Sequence, residues 1–375
     1  MAAGSFTHTF DTPLYKGAST INTGLFINGQ WVLPAEVPHA TIDITNPSDG
    51  KHIVSIFEGG ASDVDKAVDA ALQAYRTVWG LKCPGAVRGR FLNKLADLIE
   101  ANQDELAALE AFGVGKNFEG ARTGDVGGSV SMLRYFAGWA DKVQGKTIEP
   151  SEVTPLTALR LADLVNEAGI PPGVINIVNG YGKTVGAAIA SHMKIAKVTF
   201  TGSTFVGREV MHAACASNLK PVTLELGGKN PTIIFDDANL EQAIKWASLA
   251  IFHNAGQVCV AGSRIFVQAG IYDQFLTGMT AIATKLERAT GDPFTLGTQH
   301  GPLVSQAQYD RVMSYIESGK ADGAHVLSGG ARHGEVGYFI QPTIFTDVKP
   351  DMKIFREEIF GPVAAVLKFT TEEGT

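Results

Sequence analysis

Cysteine is scarce in this 375-residue chain, which contains only Cys83, Cys215 and Cys259. The three are widely spaced, their number is odd, and no two form a Cys-x-x-Cys pair. This pattern argues against a disulfide framework and against a zinc site, because both need cysteines in pairs or clusters. Free thiols persist in a reducing compartment, so we expect a cytoplasmic protein without a bound metal.

Targeting and membrane signals are also missing from the sequence. Its first residues hold neither an apolar core segment nor a run of arginines, and no apolar run is long enough to span a bilayer. A net charge of −7 and a pI near 5.7 disfavour nucleic acid or an anionic membrane as a partner. What the chain has is 45% hydrophobic residues, enough for two or three domains with packed cores.

The first part of the chain predicts strands followed by helices. Residues 21–57 favour strands, since Asn28-Gly29 stands between apolar residues in the manner of a two-residue hairpin turn. A helix is predicted to begin at Ser62, with Asp65 as its capping partner. Further helices are predicted at residues 86–100, 102–112 and 123–141.

From residue 154 onward, helical patterns alternate with short apolar strands. Such alternation predicts a parallel sheet with crossover helices, and these sheets bind ligands at the carboxyl ends of their strands. The candidate boundary between two domains is Gly227-Gly228. The predicted strands are 174–178, 197–201, 222–226, 265–267, 325–327, 338–345 and 364–369, and the predicted helices are 154–168, 183–191, one ending near 216, 239–253, 271–289 and 305–319.

Cys259 lies in a loop between two glycines, within residues 252–264 (FHNAGQVCVAGSR). A lone cysteine is more often a buried structural residue, although flanking glycines let the backbone approach a small ligand. Residues 223–230 (TLELGGKN) change this interpretation, because Glu225 ends a strand shortly before a glycine pair. A thiol needs a base or positive surroundings to ionise, so this thiol and this carboxylate indicate a nucleophile and its general base.

Two other features leave alternatives open. His253, six residues before Cys259, would suit a thiol hydrolase, although its helical surroundings favour a packed or surface histidine. Residues 202–207 (GSTFVG) form a turn from a strand into a helix, where free N–H groups suit a phosphate. Such turns are also common for steric reasons, so the turn alone leaves both interpretations open.

Taken together, these stretches resemble the NAD(P)-dependent aldehyde dehydrogenases. TLELGGKNP and FHNAGQVCVAGSR are similar to the two signature motifs, and YFAGWADKVQGKTI, PPGVINIV, FTGSTFVG and EEIFGPV match in the same order. The resemblance covers nearly the whole chain. It implies an α/β fold with a Rossmann-type NAD-binding domain at residues 1–226, including an N-terminal helical block, and an α/β catalytic thiol domain at residues 227–375.

The resemblance implies oxidation of a small-molecule aldehyde to a carboxylic acid with NAD. Cys259 would attack the aldehyde, its N–H would stabilise the oxyanion, and Glu225 would activate the water that releases the acid. A carboxylate at Glu152 would bind the adenosine ribose and favour NAD over NADP. The cofactor-binding residues implied by the family are Glu152, Gly202, Ser203, Gly207, Leu226, Glu358 and Phe360.

The chain departs from the family in two places. GKTIEP runs directly into SEVTPL, where the family has a few dozen residues with the first strands of the dinucleotide sheet and a PWNFP-like motif. The asparagine of that motif supplies the second oxyanion donor, and Glu149 stands where a lysine is expected. The chain also ends at Thr375, before the strand through which the family forms homo-oligomers.

These departures define the alternatives to an active dehydrogenase. One is a catalytically impaired family fragment, internally deleted and C-terminally truncated, that acts at most as a nucleotide-binding or interaction protein. Another is a cofactor-independent thiol esterase that uses Cys259 with Glu225. Transfer of the acyl group to coenzyme A is disfavoured, because a base such as Glu225 favours water as the acceptor.

Overall fold

The computed structural model describes residues 4–81, 83–140 and 154–372, and the chain divides into two units. Unit 1 is formed by residues 1–45, 52–113 and 118–226, and unit 2 by residues 46–51, 114–117 and 227–375. The last crossing from one unit to the other falls between Leu226 and Gly227. Within the described residues, no helix is both long and apolar enough to cross a membrane.

The amino-terminal part of unit 1 consists of three antiparallel strand pairs. The second pair is the predicted hairpin, and its turn residues Asn28 and Gly29 both have positive φ, which this turn type requires. The first pair lies before the predicted β region and was missed. The strands are β1 (Ser5–Asp11), β2 (Lys16–Asn22), β3 (Leu25–Ile27), β4 (Gln30–Val32), β5 (Thr41–Thr45) and β6 (His52–Phe57).

Helices make up most of the rest of the first half. They are α1 (Ala61–Ala74), α2 (Gly85–Ala101), α3 (Gln103–Val114), α4 (Phe118–Gly120), α5 (Gly127–Trp139), α6 (Leu156–Glu167), α7 (Ala187–Ser191) and α8 (Thr204–Ala216). Wider helical turns at Tyr75–Trp79, Ala121–Val126 and Gly182–Gly186 adjoin α1, α5 and α7. The leucines Leu156, Leu159 and Leu164 of α6 are fully buried, so this helix is a central part of the core.

Helix α1 begins one residue earlier than predicted, with a different acidic residue at its start. Gly60 is the N-cap, and the carboxylate of Asp63 accepts hydrogen bonds from the N–H of Gly60 (3.1 Å) and the N–H of Ala35 (2.9 Å). Asp65, predicted as the capping partner, instead pairs on the surface with His192 at 3.0 Å. The prediction was wrong because Ser62 lies inside the first turn, where its hydroxyl is not the cap.

The parallel sheet of unit 1 consists of two strands among the described residues, β7 (Val198–Gly202) and β8 (Val222–Leu226). Helix α8 connects them, as the alternation predicted. The predicted strand at 174–178 is wrong: Ile177 makes a single antiparallel bridge with Phe26. Among the described residues, no partner strand pairs with this stretch beyond that single bridge.

Unit 2 is built on a five-stranded sheet in the order β11-β12-β13-β10-β9, with only the β11–β12 pair antiparallel. Apolar clusters line this sheet, and Ile265, Val267, Phe345 and Val366 are fully buried. The predicted strand at 338–345 is shorter, beginning at Thr343. The elements are β9 (Pro231–Ile234), α9 (Leu240–Phe252), β10 (Arg264–Gln268), α10 (Tyr272–Arg288), α11 (Gln306–Ala321), β11 (His325–Ser328), β12 (Thr343–Thr346), α12 (Lys353–Arg356) and β13 (Val363–Phe369).

Replacing Asp63 by alanine should destabilise unit 1. The carboxylate is fully buried, so Asp63→Ala leaves two backbone N–H groups without an acceptor, at a cost of about 2–4 kcal/mol. The matched control is Asp65→Ala, whose exposed carboxylate contacts His192, a contact worth about 0–1 kcal/mol. Urea unfolding of the purified variants measures both, and equal losses in the two would contradict this account of the α1 start.

Candidate functional site

The predicted base and the predicted phosphate turn lie at one end of the β7–β8 sheet. The strands are parallel, with Thr201 opposite Glu225 and Gly202 opposite Leu226. Ser203 follows directly on Gly202, and Glu225 is exposed at this end. The structure therefore places Glu225, Leu226, Gly202 and Ser203 at the carboxyl edge of two parallel strands, where α/β sheets bind ligands.

Helix α8 offers unsatisfied donors at this edge. The Ser203 hydroxyl accepts a hydrogen bond from the N–H of Val206 (3.3 Å) and so acts as the N-cap. Within the described part of the chain, the N–H groups of Thr204 and Phe205 have no acceptor. Gly207 lets the helix lie close to the sheet, since a Cβ there would crowd the Leu226 side chain at 2.9 Å. This donor set fits the anionic pyrophosphate of a dinucleotide.

The Cys259 loop belongs to unit 2 and follows α9 through a tight turn, His253–Gly256. Asn254, Ala255 and Gly256 all have positive φ, so the chain reverses sharply before the thiol. Gly256 is needed here, because a Cβ would overlap the carbonyl oxygen of Gly361. Cys259 is exposed at the end of this turn, and His253 is a surface residue, as the helical pattern favoured.

A hydrogen bond holds the carbonyl group of Cys259, whereas its N–H group makes none within the described residues. The side-chain amide of Asn230 donates to the carbonyl oxygen of Cys259 at 2.9 Å. Within the described residues, the N–H of Cys259 has no acceptor. The thiol, with its own backbone N–H free beside it, is therefore suited to a nucleophile that also stabilises an oxyanion.

Glu358 packs directly against the glycine pair that opens unit 2. A Cβ at Gly227 would overlap both carboxylate oxygens of Glu358, so only glycine allows this approach. The α11 side chains Arg311 and Gln308 donate to the carbonyl oxygens of Glu358 (3.2 Å) and Phe360 (2.8 Å). These bonds hold Phe360 at a φ of 59°, which costs a non-glycine residue about 1–2 kcal/mol.

A small cavity shows that three segments of unit 2 converge. It has a volume of about 10 Å³ and is bounded by Gly228, Val258, Glu358 and Phe360, among others. This is room for about one water molecule. The glycine pair, the thiol loop and the EEIFGPV segment are therefore neighbours, although they are far apart in the sequence.

Lys229 carries a buried amine beside this cavity. Its Nζ atom is buried and has no hydrogen-bond partner among the described residues. The pKa of Lys229 is lowered to about 7, chiefly by burial and also by the nearby Arg264, while the Glu358 carboxylate opposes both. Near neutral pH this amine therefore gains or loses its proton, close to the carboxylate of Glu358.

The predicted site residues are distributed over both units. Glu225, Gly202, Ser203, Gly207 and Leu226 lie in unit 1, whereas Cys259, Glu358 and Phe360 lie in unit 2. The pairing of Cys259 with Glu225 thus stays a prediction. Glu152 lies outside the described residues. Among the described residues, no group of His, Cys, Asp or Glu side chains is arranged to hold a metal.

Sequence reasoning missed the side chains that support the site. Asn230 and Lys229 are part of the TLELGGKN stretch, but nothing in their spacing indicated which groups they contact. Arg311 and Gln308 lie about fifty residues before the segment that they hold. The strand that follows Asn230, β9, was not predicted either, so no local signal indicated the contacts of this side chain.

Replacing Lys229 by methionine should stabilise the protein most below pH 7. The pKa is about 10.5 in the unfolded chain and about 7 in the folded chain, so between these values only the unfolded state keeps the proton. The loss of folding free energy caused by the buried lysine therefore grows as the pH falls from 10 to 7, and it is constant below pH 7. We expect Lys229→Met to gain on the order of 5 kcal/mol at pH 6 and much less at pH 10.

Chemical unfolding at several pH values measures this difference. Lys285→Met, at an exposed position of α10, is the matched control and should change the free energy of unfolding by less than about 0.5 kcal/mol. A gain for Lys229→Met that is the same at pH 6 and pH 10 would contradict the depressed pKa.

Known proteins match this chain along almost its full length. The profile of the aldehyde dehydrogenase family matches residues 31–149 and 148–375. An aldehyde dehydrogenase of Agaricus bisporus is 53% identical over 411 aligned positions, which cover 97% of this chain and 81% of that protein. One of Emericella nidulans is 47% identical with the same coverage. Since 97% of 375 residues is about 364, roughly 47 of the 411 positions are occupied only in the Agaricus protein.

The solved structures give the same result for the fold. An aldehyde dehydrogenase from Bacillus cereus, determined as an NAD⁺ complex, superimposes with a TM-score of 0.88 at 39% identity, covering 94% of this chain and 80% of that one. The two profile matches meet at residues 148–149, where the sequence predicts a missing segment. The chain is about one half identical to these relatives over nearly all of its length, the family profile spans most of it, and the α/β fold is shared. The chain therefore belongs to the aldehyde dehydrogenase family.

Proposed function

We propose that this chain oxidises an aldehyde to a carboxylic acid with NAD, using Cys259 as the nucleophile and Glu225 as the general base. The observation that carries the proposal is the geometry of the thiol loop. Cys259 is exposed, its carbonyl is fixed by Asn230, and its N–H is free within the described residues. One residue thus supplies both the nucleophile and an oxyanion donor.

In the proposed reaction the Cys259 sulfur adds to the aldehyde carbon, and the N–H of Cys259 donates to the oxygen as it gains negative charge. The bound cofactor would supply the hydride acceptor, and loss of the hydride from this carbon would leave a thioester on Cys259. Glu225 then takes a proton from water, the hydroxide adds to the thioester carbon, and the carbon–sulfur bond breaks. The sulfur leaves as a thiolate, the form in which it attacked, Glu225 passes its proton to solvent, and the carboxylic acid is released.

The residues that would hold NAD are at two places. At the end of β7, the free N–H groups of the first turn of α8 suit the pyrophosphate. In unit 2, Glu358 and Phe360 would hold the nicotinamide ribose and ring, with Gly227 making room for the carboxylate. Glu152 would bind the adenosine ribose and favour NAD over NADP.

We infer that turnover is slow compared with the longer relatives. The chain has no PWNFP-like motif, and so lacks the side-chain donor of the family's oxyanion hole. Removal of one such donor costs about 10²–10³ in turnover. Binding of NAD without turnover is the second candidate function, and the roughly 47 positions present only in the Agaricus relative favour it.

Replacing Cys259 by alanine should abolish NADH formation from an aldehyde and NAD. Loss of the nucleophile removes the covalent route, so we expect a fall of at least about a thousandfold. Cys215→Ala is the matched control, because Cys215 is also an exposed thiol, and its activity should equal that of the parent. Release of NADH, followed by absorbance, measures all three proteins.

The same preparation distinguishes the two candidate functions. NAD that raises the melting temperature of the parent chain, with no NADH formed from short-chain or aromatic aldehydes, would support binding alone and refute the dehydrogenase. Ester hydrolysis that depends on Cys259 in the absence of NAD would support the thiol esterase instead.

A further inference from the structure

Asn230 connects the glycine-rich stretch to the thiol loop. Its side-chain amide donates to the carbonyl oxygens of Cys259 (2.9 Å) and Ala261 (3.4 Å). The backbone carbonyl oxygen of Asn230 accepts a hydrogen bond from the N–H of Arg264 at 3.2 Å, which is the first hydrogen bond of the β9–β10 pair. The backbone of Asn230 is thus part of the sheet, while its side chain reaches over the loop.

The two carbonyls held by Asn230 belong to one tight turn. The N–H of Ala261 donates to the carbonyl of Val258 (3.0 Å), and the N–H of Ser263 to that of Ala261 (2.9 Å). Val260, between the two held carbonyls, is 72% exposed, so packing does little to fix the Cys259–Val260 tip, whereas Ala261 is buried in the core of unit 2. The two N–H groups of a single amide therefore fix the segment that packing leaves loose.

We propose that Asn230 is a positioning residue for Cys259, which fixes the peptide after the thiol so that the thiol and the N–H of Cys259 keep one orientation. Holding the Cys259 carbonyl fixes the rotation of the backbone on the carboxyl side of this residue. The inference rests on the proposed role of Cys259 as nucleophile, since only then does its orientation affect a reaction.

The size of the effect follows from the two hydrogen bonds. Their loss should increase the population of displaced loop conformations by about tenfold, the usual effect of losing one or two neutral hydrogen bonds at a partly exposed position. The sheet should persist, because the backbone bonds of Asn230 do not depend on its side chain. A displaced loop exposes the thiol to reagents more often and presents it to a substrate less often.

The chain offers a control with the same chemistry elsewhere. The side-chain amide of Asn218 also donates to two carbonyl oxygens, those of Met193 and Ile195, both at 2.9 Å. It lies in unit 1, away from the Cys259 loop in the sequence. Asn218→Ala therefore matches Asn230→Ala in the bonds lost, but leaves the thiol loop intact.

The test compares alkylation of Cys259 with alkylation of Cys215 in the same molecule, using iodoacetamide and mass spectrometry. In Asn230→Ala, the ratio of the Cys259 rate to the Cys215 rate should rise about tenfold. In Asn218→Ala the rate at Cys259 itself should stay within about twofold of the parent rate, because Asn218 lies close to Cys215 and not to the Cys259 loop. General destabilisation raises both rates together, so the ratio separates positioning from a structural role. Asn230→Ser gives the same comparison if the alanine variant fails to fold.

Kinetics supply the second measurement. In a parent chain that oxidises aldehydes, Asn230→Ala should lower kcat about tenfold and leave the KM for NAD unchanged. A Cys259 to Cys215 ratio that is unchanged in both Asn230 variants would overturn the proposal. A parent chain without aldehyde oxidation would refute the proposed function, whereas the alkylation ratio would still decide the role of Asn230.

Discussion

The parallel pairing of β9 with β10 is the constraint on which the thiol site depends. Arg264 lies opposite Pro231, and this register brings the end of the TLELGGKN stretch beside the loop that carries Cys259. The pairing needs glycine at position 262, because a Cβ there would overlap the hydroxyl of Thr232. A shift of one residue would turn every side chain of β9 to the opposite face, and would remove Asn230 from the thiol loop.

Local signals in the sequence explain which elements were predicted. Asn28-Gly29, the alternating strands β7, β8 and β10, and the start of α8 after Gly202 each depend on a few adjacent residues. The start of α1 was misplaced because it depends on Ala35, whose N–H reaches the buried carboxylate of Asp63 from a distant loop. The predicted strand at 174–178 failed because apolar character does not reveal whether a partner strand is available.

The sequence indicates candidate reactive residues but not the side chains that support them. The motifs that contain Cys259, Glu225 and Glu358 resemble those of a known family. The residue types and their order were therefore sufficient to propose these residues. Asn230, Lys229 and Gln308 act through contacts set by strand register and helix packing, which short sequence windows do not contain. The electrostatics of Lys229 depend on burial and on Arg264 and Glu358 together, so they follow only from the folded chain.

The left-handed backbone at Phe360 restricts what mutation can place there. Glycine would relax the backbone, and asparagine would tolerate it, but a β-branched residue would add strain. A phenylalanine adopts this conformation at a cost, with Gln308 holding its carbonyl, and about one-third of the residue remains exposed. Strained residues cluster where a protein contacts its ligands. Replacing Phe360 by glycine would therefore relieve the strain of its positive φ and also remove the aromatic ring that this position presents.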